Sequence, residues 1–295
     1  MKPARSKVLL GYRPMAARYA LFTLALVLLA LCLVPTEPMQ AWGPVAHDVV
    51  VTWSIQTLPP EIRSFFENNR QFLIQHANDP DELMKTDRYE RMRHYIYLDK
   101  YGTFPYPTLP HDYLRAKEKF TTSRISRDGM LPWQIGEYSL RLTKAMKAGQ
   151  WNDVKLDAAA LAHYLSDAHD PLHTTQNYDG QLSAQTGLSM RFDIHLFDRY
   201  SKLFIMHPDS AEKIDDPTEY AFQRCLESNV WVGLVLWSDM RAREGLQDYT
   251  DEYYDRFYNR VGPTIVREVN DAAHDAGSYW YTAWLNAGRP QLPPR

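Results

Sequence analysis

Cysteine is scarce in this chain. The 295 residues contain two cysteines, Cys32 and Cys225, and Cys32 lies within an N-terminal apolar run. If that run is removed on export, Cys225 is the one cysteine left and an internal disulfide is excluded. Metal ions could then provide the cross-links that disulfides supply in many exported domains.

Long apolar runs are also few. The main one extends from Tyr19 to Val34, follows five basic residues and precedes a short segment that ends at Ala41. A basic start, a short apolar centre and a small residue before the cut are typical of a secretory signal peptide. We therefore expect a signal peptide at 1–41 and a secreted or periplasmic domain at 42–295. The alternative is an uncleaved membrane anchor.

The sequence has no excess of positive charge. It contains 33 Lys and Arg against 36 Asp and Glu, and the predicted leader carries five of the former and one of the latter. The mature chain would therefore have 28 basic and 35 acidic residues, a net charge of −7. A surface with this net negative charge repels polyanions, so tight binding of duplex DNA is not expected.

We expect the mature protein to be a monomer.

Strand-like alternation and internal repeats are absent from the sequence. Apolar residues at spacings of three and four predict helices instead. These are expected at 45–58, 60–76, 112–120, 133–148, from 153 into the central motif, and at 188–206, 218–242 and 252–285. Loops are expected at 101–110 and 174–187. The mature length suits one core, so the sequence predicts an all-α, single-domain, multi-helix bundle.

One stretch, from His163 to His173, carries a metal-site pattern. On a helix, His163 and Asp167 lie four residues apart on one face and can reach the same cation. Pro171 should turn the chain near Asp170 and bring His173 in from a different direction. Nitrogen and oxygen ligands without thiolate suit a catalytic zinc. Taken alone, a histidine and an aspartate at this spacing are more often an ordinary helix residue and a solvated carboxylate. His173 and the partners named below favour the metal site instead.

Further candidate ligands lie upstream. After cleavage, the free amine and carbonyl oxygen of Trp42 could chelate a metal together with His47, although these residues could also be a buried anchor and a surface histidine. Asp79 and Asp81 lie in a predicted turn, and His94 follows fifteen residues after Asp79.

In this order and spacing, the residues resemble the zinc-dependent phospholipase C and S1/P1 nuclease superfamily over essentially the whole mature chain. The resemblance implies a trinuclear zinc site. By matching positions, the first zinc would be held by Asp79, His94, His163 and Asp167. His173 would begin the second site. The amine and carbonyl of Trp42, with His47 and a bridging Asp167, would hold the third zinc. Asp81 could exchange roles with Asp79.

The sequence departs from the family pattern at the second zinc. The family completes this site with a histidine and, four residues later, an acidic residue. Here Ser189 replaces the histidine, while Asp193 still supplies the acid. His195 could replace the missing ligand if the helix is shifted or broken, because two residues along a helix is about 200 degrees. Asp198 would then be its companion.

The expected function is that of a zinc-dependent phosphoesterase with a metal-bound hydroxide as nucleophile, which Asp79 or Asp81 would orient or deprotonate. Expected substrates are phospholipid head groups, nucleotides or single-stranded nucleic acid. Two alternatives stay open. The first is a catalytically weakened relative that binds metal or phosphate ligands, because Ser189 replaces a ligand. The second is a membrane-anchored helical protein without catalysis.

Cleavage after Ala41 makes a testable prediction. The mass and the N-terminal sequence of the exported protein should correspond to a chain that begins with Trp42. A protein that retains residues 1–41 would lack the free amine at Trp42 and would support the membrane-anchored alternative.

Overall fold

The computed structural model describes residues 42–293, and this part of the chain is helical. No β-strand occurs within it; the one β-type pairing is an isolated antiparallel bridge between Ile96 and Gly129. The predicted all-α fold is therefore confirmed. No helix in the described range is both long and apolar enough to cross a bilayer. The predicted signal peptide lies outside the described residues and stays a prediction.

Twelve α-helices follow one another in the described range. They are α1 (Pro44–Thr57), α2 (Pro60–Asn68), α3 (Arg70–His76), α4 (Asp79–Leu83), α5 (Tyr113–Phe120), α6 (Thr122–Asp128), α7 (Leu131–Ala148), α8 (Trp151–Ala168), α9 (Leu196–Tyr200), α10 (Pro217–Asn229), α11 (Val232–Arg243) and α12 (Asp251–Asn286). Short 3₁₀ turns occupy Arg91–Arg93, Leu98–Tyr101, Pro171–Thr174 and Ser201–Leu203. A π-helix spans Met190–His195.

Several predicted helices are divided in the structure. The helix expected at 60–76 breaks at Asn69, whose side-chain amide donates to the Phe65 carbonyl (2.8 Å) and so caps the end of α2. The helix expected at 218–242 is α10 and α11, separated at Val230 and Trp231. Apolar spacing did not reveal these breaks because it continues across them.

Helix α8 lies at the centre of the bundle. It packs against α1, α3, α7 and α12, and its C-terminal half is buried on all sides. It ends as expected near Asp170, whose backbone is extended, and Pro171 begins a 3₁₀ turn. The indole nitrogen of Trp280 on α12 donates to the Ala158 carbonyl of α8 (3.0 Å), and the Trp280 ring stacks on Phe66 at 4.6 Å. The motif is therefore held inside the core.

Helices α1 and α12 form the most extensive helix pair of the bundle. Their backbones approach closely at Gly277, where an added Cβ would lie 1.9 Å from the Thr57 hydroxyl oxygen and 3.1 Å from the Ser54 carbonyl oxygen. A glycine is thus needed at this crossing, because any side chain would push α1 away from α12.

We expect Gly277→Ala to lower the free energy of unfolding by about 1–3 kcal/mol, because the new methyl group overpacks the crossing. The matched control is Gly233→Ala on α11, where an added Cβ meets no atom within 4 Å. This control should leave stability unchanged or raise it by up to about 1 kcal/mol, since alanine favours helix. Denaturant unfolding measures both variants. Equal effects would show that the crossing is not tightly packed.

Candidate metal centre

His163 and Asp167 lie one turn apart on α8, and both are fully buried. The Nδ1–H of His163 donates to the Ala77 carbonyl (2.8 Å). This hydrogen bond fixes the tautomer, so that the Nε2 lone pair faces the interior. His163 Nε2 lies 3.5 Å from Asp167 Oδ2. The two side chains therefore offer ligand atoms to one point, as the spacing predicted.

His94 approaches the same point from the 3₁₀ turn Arg91–Arg93. Its Nδ1 lies 3.0 Å from Asp167 Oδ2 and 3.1 Å from His163 Nε2. Ligands of a tetrahedral zinc at 2.0–2.1 Å are about 3.4 Å apart, so these spacings fit a shared ion. Burial alone would lower the pKa of His94, but hydrogen bonds with Asp167 and Glu90 raise it to about 9. A proton and a cation therefore compete for this nitrogen.

Asp81, rather than Asp79, completes this first group. Asp81 Oδ1 lies 3.6 Å from His163 Nε2 and 3.8 Å from His94 Nδ1. Asp79 Oδ2 pairs instead with His76 Nδ1 (2.6 Å), and its side chain is 50 % exposed. Helix α4 explains the difference, because residues two apart on a helix point to different sides. The structure therefore does not place Asp79, the expected ligand and catalytic acid–base group, beside these imidazoles. It places Asp81, the stated alternative, there.

His47 on α1 forms a second group with His163 and Asp167. The His47 and His163 rings stack with centroids 4.0 Å apart. Both ring nitrogens of His47 are buried and have no hydrogen-bond partner among the described residues. Burial and the neighbouring His163 lower the pKa of His47 well below its usual value, so its imidazole is neutral and able to bind a metal. A cation is the partner that such a lone pair lacks.

Trp42 is buried. Its ring packs on Phe197 with centroids 5.1 Å apart, and the amide of Gly43 donates to the Asp193 carbonyl (3.1 Å). A Cβ on Gly43 would lie 2.6 Å from Ile194 Cδ1, so residue 43 and Ile194 are closely packed. The structure thus holds residue 42 beside the segment that carries Asp193. Metal binding by the Trp42 amine and carbonyl stays a prediction.

A third group contains Asp170, His173 and Asp193, all of them buried. The Nδ1–H of His173 donates to the His94 carbonyl (2.5 Å), which leaves Nε2 facing the two carboxylates. Burial raises the pKa of Asp170 to about 6. Burial and the charge of Asp170 raise the pKa of Asp193 well above its usual value. Two carboxylates in this setting repel each other unless a proton or a cation lies between them.

The structure does not bring His195 to this group. His195 Nδ1 lies 2.6 Å from the Tyr254 hydroxyl, on a surface cleft that Asp198 also lines. The segment is a π-helix that continues into α9, not a broken helix, so His195 and Asp193 point to nearly opposite sides. The structure therefore does not place His195 where it could replace the expected histidine ligand.

Sequence reasoning missed Asp170 as a candidate ligand. Ser189 donates to Asp179 Oδ1 (3.0 Å) and faces that loop rather than the third group. Asp170, and not Ser189, lies beside His173 and Asp193 in the third group. In the sequence it looks like a turn residue before Pro171. The available signal was an acidic residue within the motif, in a sequence where Ser189 stands in place of the histidine that the resemblance implies.

A buried network supports the motif from behind. His169 Nε2 pairs with Asp275 (2.8 Å) and Nδ1 with Glu268 (3.3 Å), both on α12. Burial lowers the pKa of His169, but these carboxylates raise it to about 9. Glu90 accepts a hydrogen bond from the Tyr164 hydroxyl. These contacts fix the end of α8 and leave His169 pointing away from the metal-binding groups.

Comparisons with known proteins give evidence on the fold. No protein-family model matches the sequence, and no curated protein matches it. Among solved structures, the alpha toxin from Clostridium absonum matches with a TM-score of 0.52 and 13% sequence identity. The match covers 88% of this chain and 66% of the toxin chain. At this identity the likeness shows the fold alone. It supports the expected phospholipase C type of architecture and gives no support to the nuclease link.

The two aspartates of α4 make opposite predictions. Asp81→Asn should remove about one tightly bound zinc per chain, because the amide loses the charge that faces His94 and His163. Asp79→Asn should retain the zinc of the unmodified protein. Elemental analysis after exhaustive dialysis measures both variants. Zinc loss in Asp79→Asn alone would reverse the assignment.

Proposed function

We propose that the protein is a zinc-dependent phosphoesterase that hydrolyses phosphate ester bonds. The observation that carries the proposal is the position of Asp167 between two ligand groups: it belongs to the group with His47 and His163, and its Oδ2 lies 3.0 Å from His94 Nδ1 of the group that contains Asp81. A carboxylate has two oxygens and can contact two ions that lie close together, which is the arrangement of multi-metal phosphoryl-transfer sites. The likeness to the toxin fold agrees with this proposal.

The donor set suits the proposed ion. Neutral imidazoles and carboxylates with no thiolate are typical of catalytic zinc. Zinc ions bound here would supply Lewis-acid polarisation of a phosphoryl oxygen and a water nucleophile at neutral pH. The protein contributes fixed tautomers at His163 and His173, whose Nδ1–H groups donate to backbone carbonyls. It also contributes the ionised Asp167, since its histidine neighbours lower the pKa of this carboxyl despite burial.

Asp81 is the proton acceptor in this proposal. Its side chain is 20% exposed, whereas the other grouped carboxylates and imidazoles are buried almost completely. Water and substrate therefore reach the centre at Asp81, and its carboxylate can orient a water molecule or accept its proton there. Asp79 faces His76 and solvent and has no part in this step.

The proposed substrates are phospholipid head groups, or nucleotides and single-stranded nucleic acid. The predicted mature charge of −7 disfavours tight binding of duplex DNA but not of small phosphate esters. The protein is proposed to act as a secreted or periplasmic monomer. The toxin likeness favours lipid as the first substrate to assay, because it supports the phospholipase type of fold.

A second candidate function is metal or phosphate binding without rapid turnover. It rests on Ser189, which contacts Asp179 and supplies no ligand to the third group. This candidate predicts metal-loaded protein that fails to hydrolyse any substrate of the panel.

The deciding experiment assays purified protein on phosphatidylcholine vesicles, single-stranded RNA and single-stranded DNA, with and without chelator. We expect chelator-sensitive hydrolysis of one substrate class. Asp81→Asn should lower kcat/KM by about 10²- to 10⁴-fold, because a positioned acid–base group and ligand is lost. The control is the exposed Asp209→Asn, which should retain full activity. Hydrolysis that persists after complete metal removal would refute the proposal.

A further inference from the structure

We infer that Asp170, His173 and Asp193 form a divalent-cation site in which Asp170 replaces the missing family histidine, and that this site accepts Mn²⁺ in exchange for zinc. The inference deepens the proposed function, because it concerns one ion of the same centre. It follows from the orientation of the three side chains and from the kind of donor that each supplies.

Each of the three side chains presents an unpaired atom to a common point. Asp170 Oδ2, His173 Nε2 and both carboxylate oxygens of Asp193 are buried and lack a hydrogen-bond partner within residues 42–293. His173 Nε2 lies 3.9 Å from Asp170 Oδ2. The three residues offer ligand atoms within 4.8 Å of one another. Two carboxylates and an imidazole nitrogen converge here, an arrangement that a cation stabilises.

The remaining atoms of these residues are already held in place. Asp170 Oδ1 accepts a hydrogen bond from the Leu172 amide (2.8 Å), and His173 Nδ1–H donates to the His94 carbonyl. The backbone carbonyl of Asp193 accepts from the Gly43 amide. One face of each residue is therefore fixed by the protein and the other is left for a ligand, as in metal sites with an ordered outer shell.

Neither rival residue can take the place of Asp170. Ser189 hydrogen-bonds Asp179, and His195 hydrogen-bonds the Tyr254 hydroxyl at the surface. Asp170 is buried, unpaired at Oδ2 and adjacent to the motif. With serine instead of histidine at position 189, the site would otherwise have only two ligands. Asp170 therefore completes it.

The exchange of histidine for aspartate changes the ion preference. The groups that share His163 each combine two imidazoles with a carboxylate, whereas this group has one imidazole and two carboxylates. Carboxylate oxygen suits Mn²⁺ and Mg²⁺, while imidazole suits zinc, and Mn²⁺ accepts both donors. Zinc still binds, because its affinity for a given site generally exceeds that of Mn²⁺. The discrimination against Mn²⁺ is smaller here than at the imidazole-rich groups.

The test equilibrates zinc-loaded protein with excess Mn²⁺, removes free ions and measures both metals per chain, with electron paramagnetic resonance reporting bound Mn²⁺. We expect about one Mn²⁺ to replace one zinc while the other zinc ions stay bound. Asp170→Asn should weaken Mn²⁺ binding by at least about 100-fold, because the loss of a direct ligand should cost no less than the largest outer-shell changes do. His195→Gln is the matched control and should change Mn²⁺ affinity by less than about twofold.

A second variant tests direct ligation. Asp170→Cys places a soft donor at the same position, so that Co²⁺-loaded protein should gain a thiolate-to-cobalt charge-transfer absorption and lose Mn²⁺ binding. A merely structural role for Asp170 would produce no such band. Asp170→Asn keeps the oxygen that accepts from Leu172, and its circular dichroism and unfolding temperature without metal should not fall below those of the unmodified protein.

The inference is overturned if His195→Gln weakens Mn²⁺ binding as much as Asp170→Asn does, if the cobalt band is absent, or if Mn²⁺ fails to exchange for any zinc. These measurements read metal binding and not turnover. Exchange at Asp170 without hydrolysis of any substrate would refute the proposed function alone. Hydrolysis with no effect of Asp170→Asn on metal content would refute this inference alone.

Discussion

The buried carboxylate of Asp167 is the constraint on which the rest of the centre depends. It lies at the core end of α8, with His94 Nδ1 at 3.0 Å and His163 Nε2 at 3.5 Å, and His47 shares its ligand group. An ionised group at this depth must be compensated by positive charge and hydrogen bonds, because its own desolvation is costly. Helix α1 with His47, the 3₁₀ turn before His94, and α8 itself with His163 therefore bring imidazoles to this one point.

Neighbouring segments supply hydrogen-bond partners to the buried polar groups around this centre. His169 is paired with Asp275 and Glu268 of α12, and Tyr164 donates to Glu90, which in turn faces His94. Buried polar groups of this kind fix orientation when every member has a partner. The unpaired atoms are concentrated at the candidate metal groups, so ligand atoms and structural atoms are clearly separated in this core.

The sequence predicted the fold class and the pairing of His163 with Asp167, because helix periodicity and the spacing of these two residues are local properties. The approach of His94 and His47 to that pair was implied by the family resemblance and not by local spacing. It could not decide between Asp79 and Asp81. That choice depends on the rotation of the short helix α4 against α8, which is a tertiary property. His195 was overvalued since the run Met190–His195 is a π-helix that continues without a break. Asp170 was missed because its role appears only when Asp193 approaches it from a distant segment.

The pairing of α1 with α12 has a consequence for biogenesis. His47 lies on the first helix of the described chain, and that helix packs most extensively against the last one, with Gly277 and Thr57 in close contact. Helix α1 therefore lacks its main packing partner until α12 has been synthesised. Stable burial of His47, and with it any ion binding by this residue, must follow the synthesis of α12.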